Sequence, residues 1–453
     1  MGIQIRNIFK ELGFSLSLIL ACLSLGGCET ARTILGTDKE PPPIPGKRIS
    51  VLALEKSLEP DPESAALIIE LPRPKTNSEW AQTGGSTTHA MEHPAADGSL
   101  SKVWSIKFGR GETENNPLLA GPIVVKQMLF ALDSESNLSA IKLGANEAFW
   151  KKSLIPRGEE TEGSVGGGLA YYQDTLYVTT AYGYILALNP EDGGVYWWKN
   201  LGTPLRGAPV ASDGRIFILS VDNHLHVLSH SDGTTLWEHQ GIAESAGLLG
   251  TAAVAISNDI VVVPYSSGEL YAMRVENGRI VWSDSLIFQG RLGADTPLSD
   301  IDASPVIVNN TVYASSNSGR LVAIDLRTGS QLWEQEIASS ETPWAAGSYL
   351  FVMTTGNDLV CLHRVTGKIH WISPMPKLDD PGDEKSHLVW TRPLLAGDRL
   401  ILANNVGDIR AISPYSGKIL GQISLGTGIK VSPIIARGTI YILTDDAEAI
   451  ALR

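Results

Sequence analysis

Residues 187–197, ALNPEDGGVYW, contain the pattern that decides the fold: Ala187, then Gly193 six positions later, then Trp197 four positions after that. The same spacing recurs along the chain. Its complete copies are Val227, Gly233 and Trp237; Ala272, Gly278 and Trp282; Ala323, Gly329 and Trp333; and Cys361, Gly367 and Trp371. The intervals of roughly 40 to 50 residues fit a four-stranded propeller blade better than any helical repeat.

Two further copies are degenerate, one at Ala140, Asn146 and Trp150 and one at Ala411, Gly417 and Gly421. Asn146 takes the place of glycine, and we expect it to accept a positive φ, which asparagine tolerates. Gly421 takes the place of tryptophan.

Alternating side chains before the glycine indicate a strand buried on one face, and pairs such as Asp192-Gly193 and Asn277-Gly278 are hairpin turn signals. The tryptophan then falls early in the next strand. There it can pack against the neighbouring blade, which contributes about 2 to 3 kcal/mol of burial for each ring. We therefore predict that these tryptophans hold blades together and are not ligand platforms.

A second marker counts the blades independently, because each unit opens with a small residue or proline before an apolar strand. The openers are Pro122, Gly168, Pro209, Ala252, Pro305, Pro343, Pro393 and Pro433. The chain ends at Arg453 after a third strand, whereas the strand around Trp104 has no blade before it. The sequence thus predicts an all-β, eight-bladed propeller of four-stranded blades, closed by its N-terminal strand, which leaves no open sheet edge at the junction.

The composition excludes several classes of protein. The chain has 453 residues, 43% of them hydrophobic and 19% charged, which argues against disorder. Lys and Arg number 36 against 49 Asp and Glu, a net charge of −13, so there is no basic footprint for nucleic acid.

The N-terminus is predicted to be a signal peptide of residues 1–27, with Arg6 and Lys10 before an apolar run too short for a comfortable transmembrane helix. Leu25-Gly26-Gly27-Cys28 resembles the bacterial lipobox, which implies that Cys28 becomes the lipidated N-terminus. A plain signal peptide or a membrane anchor is the alternative. We expect residues 28–79 to form a proline-rich tether, with an apolar patch at residues 65–71, and residues 80–453 to form the propeller.

The register resembles that of the quinoprotein-like eight-bladed propellers, which include quinone-cofactor alcohol dehydrogenases and non-enzymatic proteins. Together with the lipobox it resembles the BamB family of lipoproteins, which belong to the outer-membrane β-barrel assembly (BAM) machinery. Residues 80–85 with His89 resemble the segment before the ring in alphaproteobacterial members. The resemblance implies a scaffold without catalysis or cofactor, lipid-anchored at the periplasmic face of the outer membrane. Its partners would be the BamA periplasmic domains, other BAM subunits and unfolded outer-membrane proteins.

Two stretches resemble partner-facing loops of that family. Residues 204–209, PLRGAP, resemble its Leu-x-Leu-Arg-Gly loop, and residues 298–302, LSDID, resemble its Leu-Ser-Asp-x-Asp loop. The resemblance implies that Leu205 is an apolar anchor, Arg206 a guanidinium fork, and Asp300 and Asp302 acceptors. Thr203 stands where the family has its first leucine. The alternative is that these are ordinary solvated loops in which the two aspartates cap turns.

Other candidate sites are interpreted as structural. His224 and His226 point to one side of a strand, but without a third ligand we predict no metal site. We expect His89 and His93 to be hydrogen-bonded or surface histidines. Cys361 takes the small-residue position of its repeat, so burial is the expected state. Once Cys22 and Cys28 are set aside, it has no cysteine partner for a disulfide.

Two functional alternatives stay open beside the scaffold. One is a quinone-cofactor dehydrogenase, which needs an axial pocket with carboxylate and amide ligands for calcium and often carries adjacent cysteines; no Cys-Cys pair occurs here. The other is an envelope propeller that binds a different protein or a glycan. No catalytic residue is assigned.

Overall fold

Eight four-stranded antiparallel sheets make up the described part of the chain, which in this computed structural model comprises residues 58–163, 165–205, 207–243, 252–287, 300–383 and 385–453. Residues 58–453 form one unit. No helix among the described residues is both long and apolar enough to span a membrane. The predicted signal peptide and Cys28 lie outside the described residues.

Seven sheets take four consecutive strands each, ordered from the innermost to the outermost. Blade 1 has β2 Ile123–Val125, β3 Met128–Leu132, β4 Asn137–Lys142 and β5 Trp150–Ser153; blade 2 has β6 Gly168–Tyr172, β7 Thr175–Thr179, β8 Tyr184–Leu188 and β9 Val195–Asn200. Blade 3 has β10 Val210–Ser212, β11 Arg215–Leu219, β12 His224–Ser229 and β13 Thr235–Gln240; blade 4 has β14 Ala255–Ser257, β15 Ile260–Pro264, β16 Glu269–Arg274 and β17 Ile280–Ser285.

The remaining consecutive blades follow the same order. Blade 5 has β18 Val306–Val308, β19 Thr311–Ser315, β20 Leu321–Asp325 and β21 Gln331–Gln335; blade 6 has β22 Trp344–Ala346, β23 Tyr349–Met353, β24 Asp358–His363 and β25 Ile369–Pro374. Blade 7 has β26 Leu394–Leu395, β27 Leu400–Ala403, β28 Asp408–Ile412 and β29 Ile419–Ser424. The inner strands begin at or within three residues of the predicted openers, which confirms the blade count.

Blade 8 closes the ring as predicted. It takes β30 Ile434–Ala436, β31 Thr439–Leu443 and β32 Glu448–Leu452 from the end of the chain, and β1 Lys102–Lys107 from the other end. Trp104 pairs with Ala451, and the backbone N–H groups of Ser101 and Arg453 each donate to the other residue's carbonyl, at 2.6 and 3.0 Å.

The repeated tryptophan joins each blade to the next. Its indole N–H donates to a backbone carbonyl of the following blade at 2.6 to 3.1 Å; the pairs are Trp104 with Ala145, Trp150 with Pro190, Trp197 with His230, Trp237 with Val275, Trp282 with Leu326, Trp333 with Arg364 and Trp371 with Pro414. A Cβ on the following blade's register glycine would lie 2.5 to 3.1 Å from that ring; these glycines are Gly193, Gly233, Gly278, Gly329, Gly367 and Gly417. The tryptophan of one copy of the repeat therefore packs on the glycine of the next copy, and the two residues together form one contact between neighbouring blades.

This contact explains why Gly421 replaces tryptophan in blade 7. The ring would dock on the turn between the third and fourth strands of blade 8. Blade 8 has no such turn, since its fourth strand, β1, comes from the N-terminal part of the chain. The expectation for Asn146 is wrong: the positive φ in that turn, +83°, belongs to Gly144, so Asn146 does not substitute for the register glycine.

Residues 75–97, hereafter the crossing segment, run across one end of the ring and hydrogen-bond to all eight blades. The hydrogen-bonded pairs are Asn77 with Arg437, Trp80 with Val124, Ala81 with Tyr171, Gln82 with Ala211, Thr87 with Ile256, Thr88 with Ile307, Glu92 with Trp344 and Pro94 with Gly397. Trp80 is 1% exposed and stacks on Trp344, with ring centroids 6.5 Å apart. The crossing segment therefore covers the end of the central axis.

The residues before the crossing segment pack on blade 6. A four-residue helix, Pro62–Ala65, begins after Asp61, whose carboxylate accepts from the Ser64 N–H at 2.9 Å. Ile69 is buried, and the Tyr349 hydroxyl donates to the Ile68 carbonyl at 3.4 Å. The apolar patch thus docks on the ring without forming a strand, and residues 58–79 belong to the same compact unit as the ring, whereas the sequence suggested a boundary at residue 80.

Candidate functional site

An axial cavity of about 410 Å³ opens at the end of the ring where the inner strands begin. Its wall consists mainly of residues just before those strands, such as Pro122, Ala208, Ser304 and Ser432. Trp80 and Thr83 of the crossing segment also line it. Since the crossing segment bonds to residues within or just after the inner strands, it forms the floor of the cavity.

Among the described residues, four with charged side chains line the cavity: Asp302, Glu341, Arg392 and Lys430. Burial, with the nearby charges of Asp300 and Glu341, raises the pKa of Asp302 to about 7. Burial also raises the pKa of Glu341 to about 7, although the Arg392 charge acts in the opposite direction. The Arg392 guanidinium lies 5.9 Å from the centre of the Trp80 ring. Each of these two carboxyl groups in the wall therefore gains or loses its proton near neutral pH.

The structure brings the two predicted partner loops to the mouth of this cavity. Gly207 and Ala208 from the first loop and Asp302 from the second line the same wall. Arg206, Leu298 and Ser299 lie outside the described residues. The family resemblance of both loops is thus matched by proximity in the fold.

Leu205 is not the exposed anchor that the sequence suggested. Its side chain is fully buried among Tyr177, Ile185 and Leu228. Its backbone is fixed as well, because its N–H donates to the Thr180 carbonyl at 3.2 Å and its carbonyl accepts from the Gly167 N–H at 3.1 Å. The leucine holds the loop on the ring and leaves no apolar surface for a partner.

The two aspartates also differ from the expectation of exposed acceptors. Asp300 is only 1% exposed, and its neighbours Ile301 and Ala303 are buried too. The Asp300 carbonyl accepts from the Asn317 N–H at 3.0 Å. Asp302 alone reaches open space, and it does so at the cavity wall. The burial of Ile301 and Ala303 holds this loop on the ring.

The described residues of the cavity wall do not match the quinone site that the resemblance to the quinoprotein-like propellers implies for their dehydrogenase members. Two carboxylates are present, but no asparagine or glutamine is among the described residues of its wall, so none of these residues supplies an amide ligand. The chain has no adjacent cysteines, and Cys361, which the pairing places in β24, is fully buried. Burial raises the pKa of its thiol well above the ordinary value, as expected for a packing residue.

The histidines of the crossing segment are structural, as predicted. His89 is 4% exposed, and its Nδ1 lies 2.8 Å from the Pro305 carbonyl oxygen. Burial lowers the pKa of His89 to about 4, so the ring is neutral at physiological pH. Both ring nitrogens of His93 hydrogen-bond to backbone carbonyls, of Pro72 and Gly397.

One group was missed in the sequence. Glu238 on β13 pairs directly with His226 on β12, and its carboxylate reaches both His224 and His226. The repeat itself contains the signal, because its register pairs Val227 with Trp237. In an antiparallel pair this places His226, the residue before Val227, opposite Glu238, the residue after Trp237. The reason for predicting no metal site, the lack of a third ligand, no longer holds.

Comparison with protein families identifies one family for this chain. The sequence family described as "Outer membrane protein assembly factor BamB" matches residues 134–373. A curated relative of that name from Yersinia pestis is 24% identical over 360 residues, covering 76% of this chain and 89% of the relative. An uncharacterized protein of Rickettsia conorii is 26% identical over 300 residues, covering 64% and 70%.

Solved structures show the same fold. BamB from Moraxella catarrhalis matches with a TM-score of 0.65 and 18% identity, covering 78% of this chain and all of that one. A europium-containing methanol dehydrogenase matches with a TM-score of 0.64 and 13% identity, covering 81% and 89%.

Proposed function

Because the chain belongs to the family of the outer membrane protein assembly factor BamB, we propose that it is a non-enzymatic scaffold of the BAM complex. The observation that carries the proposal is the family match over residues 134–373, supported by a relative of that name of which the chain covers 89%. The incomplete donor set of the axial cavity supports a scaffold over a dehydrogenase, despite the dehydrogenase neighbours in fold.

The ring end with the open cavity is the proposed face for the periplasmic domains of BamA. The opposite end is covered by the crossing segment, and both family-like loops lie at the open one. Arg206 is the proposed contact for a carboxylate of the partner, and Asp302 the proposed acceptor for a basic group. Leu205 contributes by fixing the backbone on which Arg206 stands, and Asp300 by packing.

Unfolded outer-membrane proteins are the proposed clients, and the outer edge of blade 2 is the proposed place where they bind. Strand β9 is the outermost strand of its sheet, so one side of its backbone has no partner strand within the blade. Tyr196 and Trp198 on it are 58% and 62% exposed. An extended apolar segment can add to such an edge by backbone hydrogen bonds while the aromatic rings cover its side chains.

Attachment to the membrane is proposed to come from lipid on Cys28 after removal of residues 1–27, which places the ring at the periplasmic face of the outer membrane. Two or more acyl chains, palmitate among them, would hold the protein stably. The net charge of −13 opposes attachment to anionic lipid through the protein surface, so the lipid has to supply the anchor.

The test is co-purification of the protein with the BamA periplasmic domains, comparing wild type with Arg206→Glu. We expect the variant to bind at least about tenfold more weakly, because a charge-assisted pair becomes a repulsion. Arg279→Glu is the matched control: Arg279 is exposed in the β16–β17 turn, away from the cavity. Undiminished binding by Arg206→Glu overturns the loop assignment, and no binding by wild type overturns the function.

A further inference from the structure

Blade 3 brings two imidazoles and a carboxylate together on the face of its outer strands. His224 and His226 stand two residues apart on β12, so both side chains project from the same side of the sheet, with ring centres 4.1 Å apart. The Nδ1 atom of His226 lies 2.9 Å from Glu238 Oε1, and the Nε2 atom of His224 lies 4.0 Å from Glu238 Oε2. One ligand atom from each residue lies within 4.8 Å of the others.

We propose that His224, His226 and Glu238 form a binding site for a divalent transition-metal ion, with Zn²⁺ the best match. Two histidines and one carboxylate are a common protein ligand set for zinc with an open fourth position. Ligand atoms around a tetrahedral zinc ion, each at about 2.0 to 2.2 Å, lie about 3.3 Å apart. Small rotations of the three side chains bring their donor atoms to that separation.

The backbone already holds the ligands in register. His226 and Glu238 are a directly opposed cross-strand pair, and the next pair along, Val227 with Trp237, packs in the core between blades 3 and 4. Two strands fixed in this way place all three side chains without a flexible loop, so little ordering entropy is lost on binding.

The exposure of the three groups fits a site reached from solvent. The side chain of His226 is 6% exposed, that of His224 is 26% exposed and that of Glu238 is 42% exposed. An ion therefore sits against a buried imidazole and keeps an open side, toward which water or a side chain of a partner can supply the fourth ligand. Asp222 adds a negative charge nearby, whereas Lys199 of blade 2 adds a positive one beside Glu238.

The site also adjoins the first partner loop. Asp222 accepts from the Thr203 hydroxyl at 3.4 Å, and the N–H of Val221 donates to the Pro204 carbonyl at 3.1 Å. A metal on His224 thus stiffens the β11–β12 turn on which residues 203 and 204 rest. The metal proposal stands without the scaffold function, and its failure would leave that function untouched.

The test is zinc binding to the full chain, without an affinity tag and after treatment with a chelator, by titration calorimetry. Visible absorption with Co²⁺ as a probe reports the ligand geometry. We expect one ion per chain, a four-coordinate cobalt spectrum, and at least about a 100-fold loss of affinity in both His224→Gln and Glu238→Gln. These two residues are partly exposed, so the variants retain the fold, which circular dichroism checks.

His363→Gln is the matched control, since His363 lies at the other end of a third strand, in blade 6, and its Nδ1 atom hydrogen-bonds to the Thr366 hydroxyl at 3.2 Å. It should bind zinc like the wild type. The proposal is overturned by a wild type that shows no saturable zinc binding, or by His224→Gln and Glu238→Gln proteins that bind as tightly as it does.

Discussion

Asp302 is one of two carboxyl groups in the axial cavity whose pKa is raised by burial. Its pKa of about 7 in the folded chain lies above the ordinary value, so folding favours the protonated form. The resulting contribution to the free energy of unfolding is complete below about pH 4 and is lost as the pH rises to about 7. Wild type therefore carries a penalty from this carboxylate at pH 8.

Replacing Asp302 with Asn removes that penalty. We expect Asp302→Asn to raise the free energy of unfolding by about 1 to 2 kcal/mol at pH 8, less than the full shift because the cavity wall is partly open to water. The gain should disappear below about pH 4. Urea unfolding at both pH values measures it, and Asp379→Asn, in an exposed loop, serves as the control. Equal effects at the two pH values would contradict this account.

Single residues also mark where sequence reasoning reached its limit. The repeat located the tryptophans that join one blade to the next, because the hairpin signals fix those positions locally, but it did not locate the buried Trp80 and Trp344. It missed the burial of Leu205 and Asp300, which depends on how loops fold back onto Thr180 and Asn317, far away in the sequence. Glu238 was within reach, since strand register alone sets it opposite His226.

At the scale of elements, the contact between blades combines a backbone requirement with a close approach. Gly329 has a φ of +72°, and a Cβ there would lie 2.6 Å from the Trp282 ring of the preceding blade. Gly426 has a φ of +73° but no atom within 4 Å of such a Cβ. Comparing the two glycines therefore separates the cost of the positive φ from the cost of the contact with the tryptophan ring.

We expect Gly329→Ala to lower the free energy of unfolding by about 3 to 4 kcal/mol, of which the positive φ accounts for about 1 kcal/mol. Gly426→Ala should show the strain alone, about 1 kcal/mol. Chemical denaturation of both variants measures the difference. Equal losses would mean that the tryptophan moves aside freely and that the glycine is needed only for its backbone conformation.

The blade pattern was predictable because hairpins are local, whereas the crossing segment was not. Residues 75–97 contain one pair of bridges, at Lys75 and Trp80, and otherwise no regular structure. Their hydrogen bonds go to eight separate inner strands, so no period or turn signal in the segment announces them. The proline content suggested a tether, and the docking of Ile69 reverses that reading for residues 58–79.

At the scale of the whole molecule, the crossing segment makes the ring a single cooperative body. Trp80 is 1% exposed, so we expect Trp80→Ala to cost about 3 to 5 kcal/mol and to leave one unfolding transition at a lower denaturant midpoint. Trp198→Ala, at an exposed ring, should leave stability unchanged.

The same Trp198→Ala protein should bind less of an unfolded outer-membrane protein than the wild type does. This measurement tests the proposed client edge separately from stability.

The pairing of β1 with β32 also determines when the ring can close. A ribosome delivers the chain from its first residue, so the crossing segment and β1 emerge hundreds of residues before the strand that completes their blade. Until β30, β31 and β32 have been made, β1 has no strand to pair with, and Ser101 lacks both of its backbone hydrogen bonds to Arg453. Blades 1 to 7 can stack before β32 is available, and closure of blade 8 is then a slow, late step because β1 and β32 lie far apart in the sequence. Until that step, the unpaired edge of β1 is open to association with other chains.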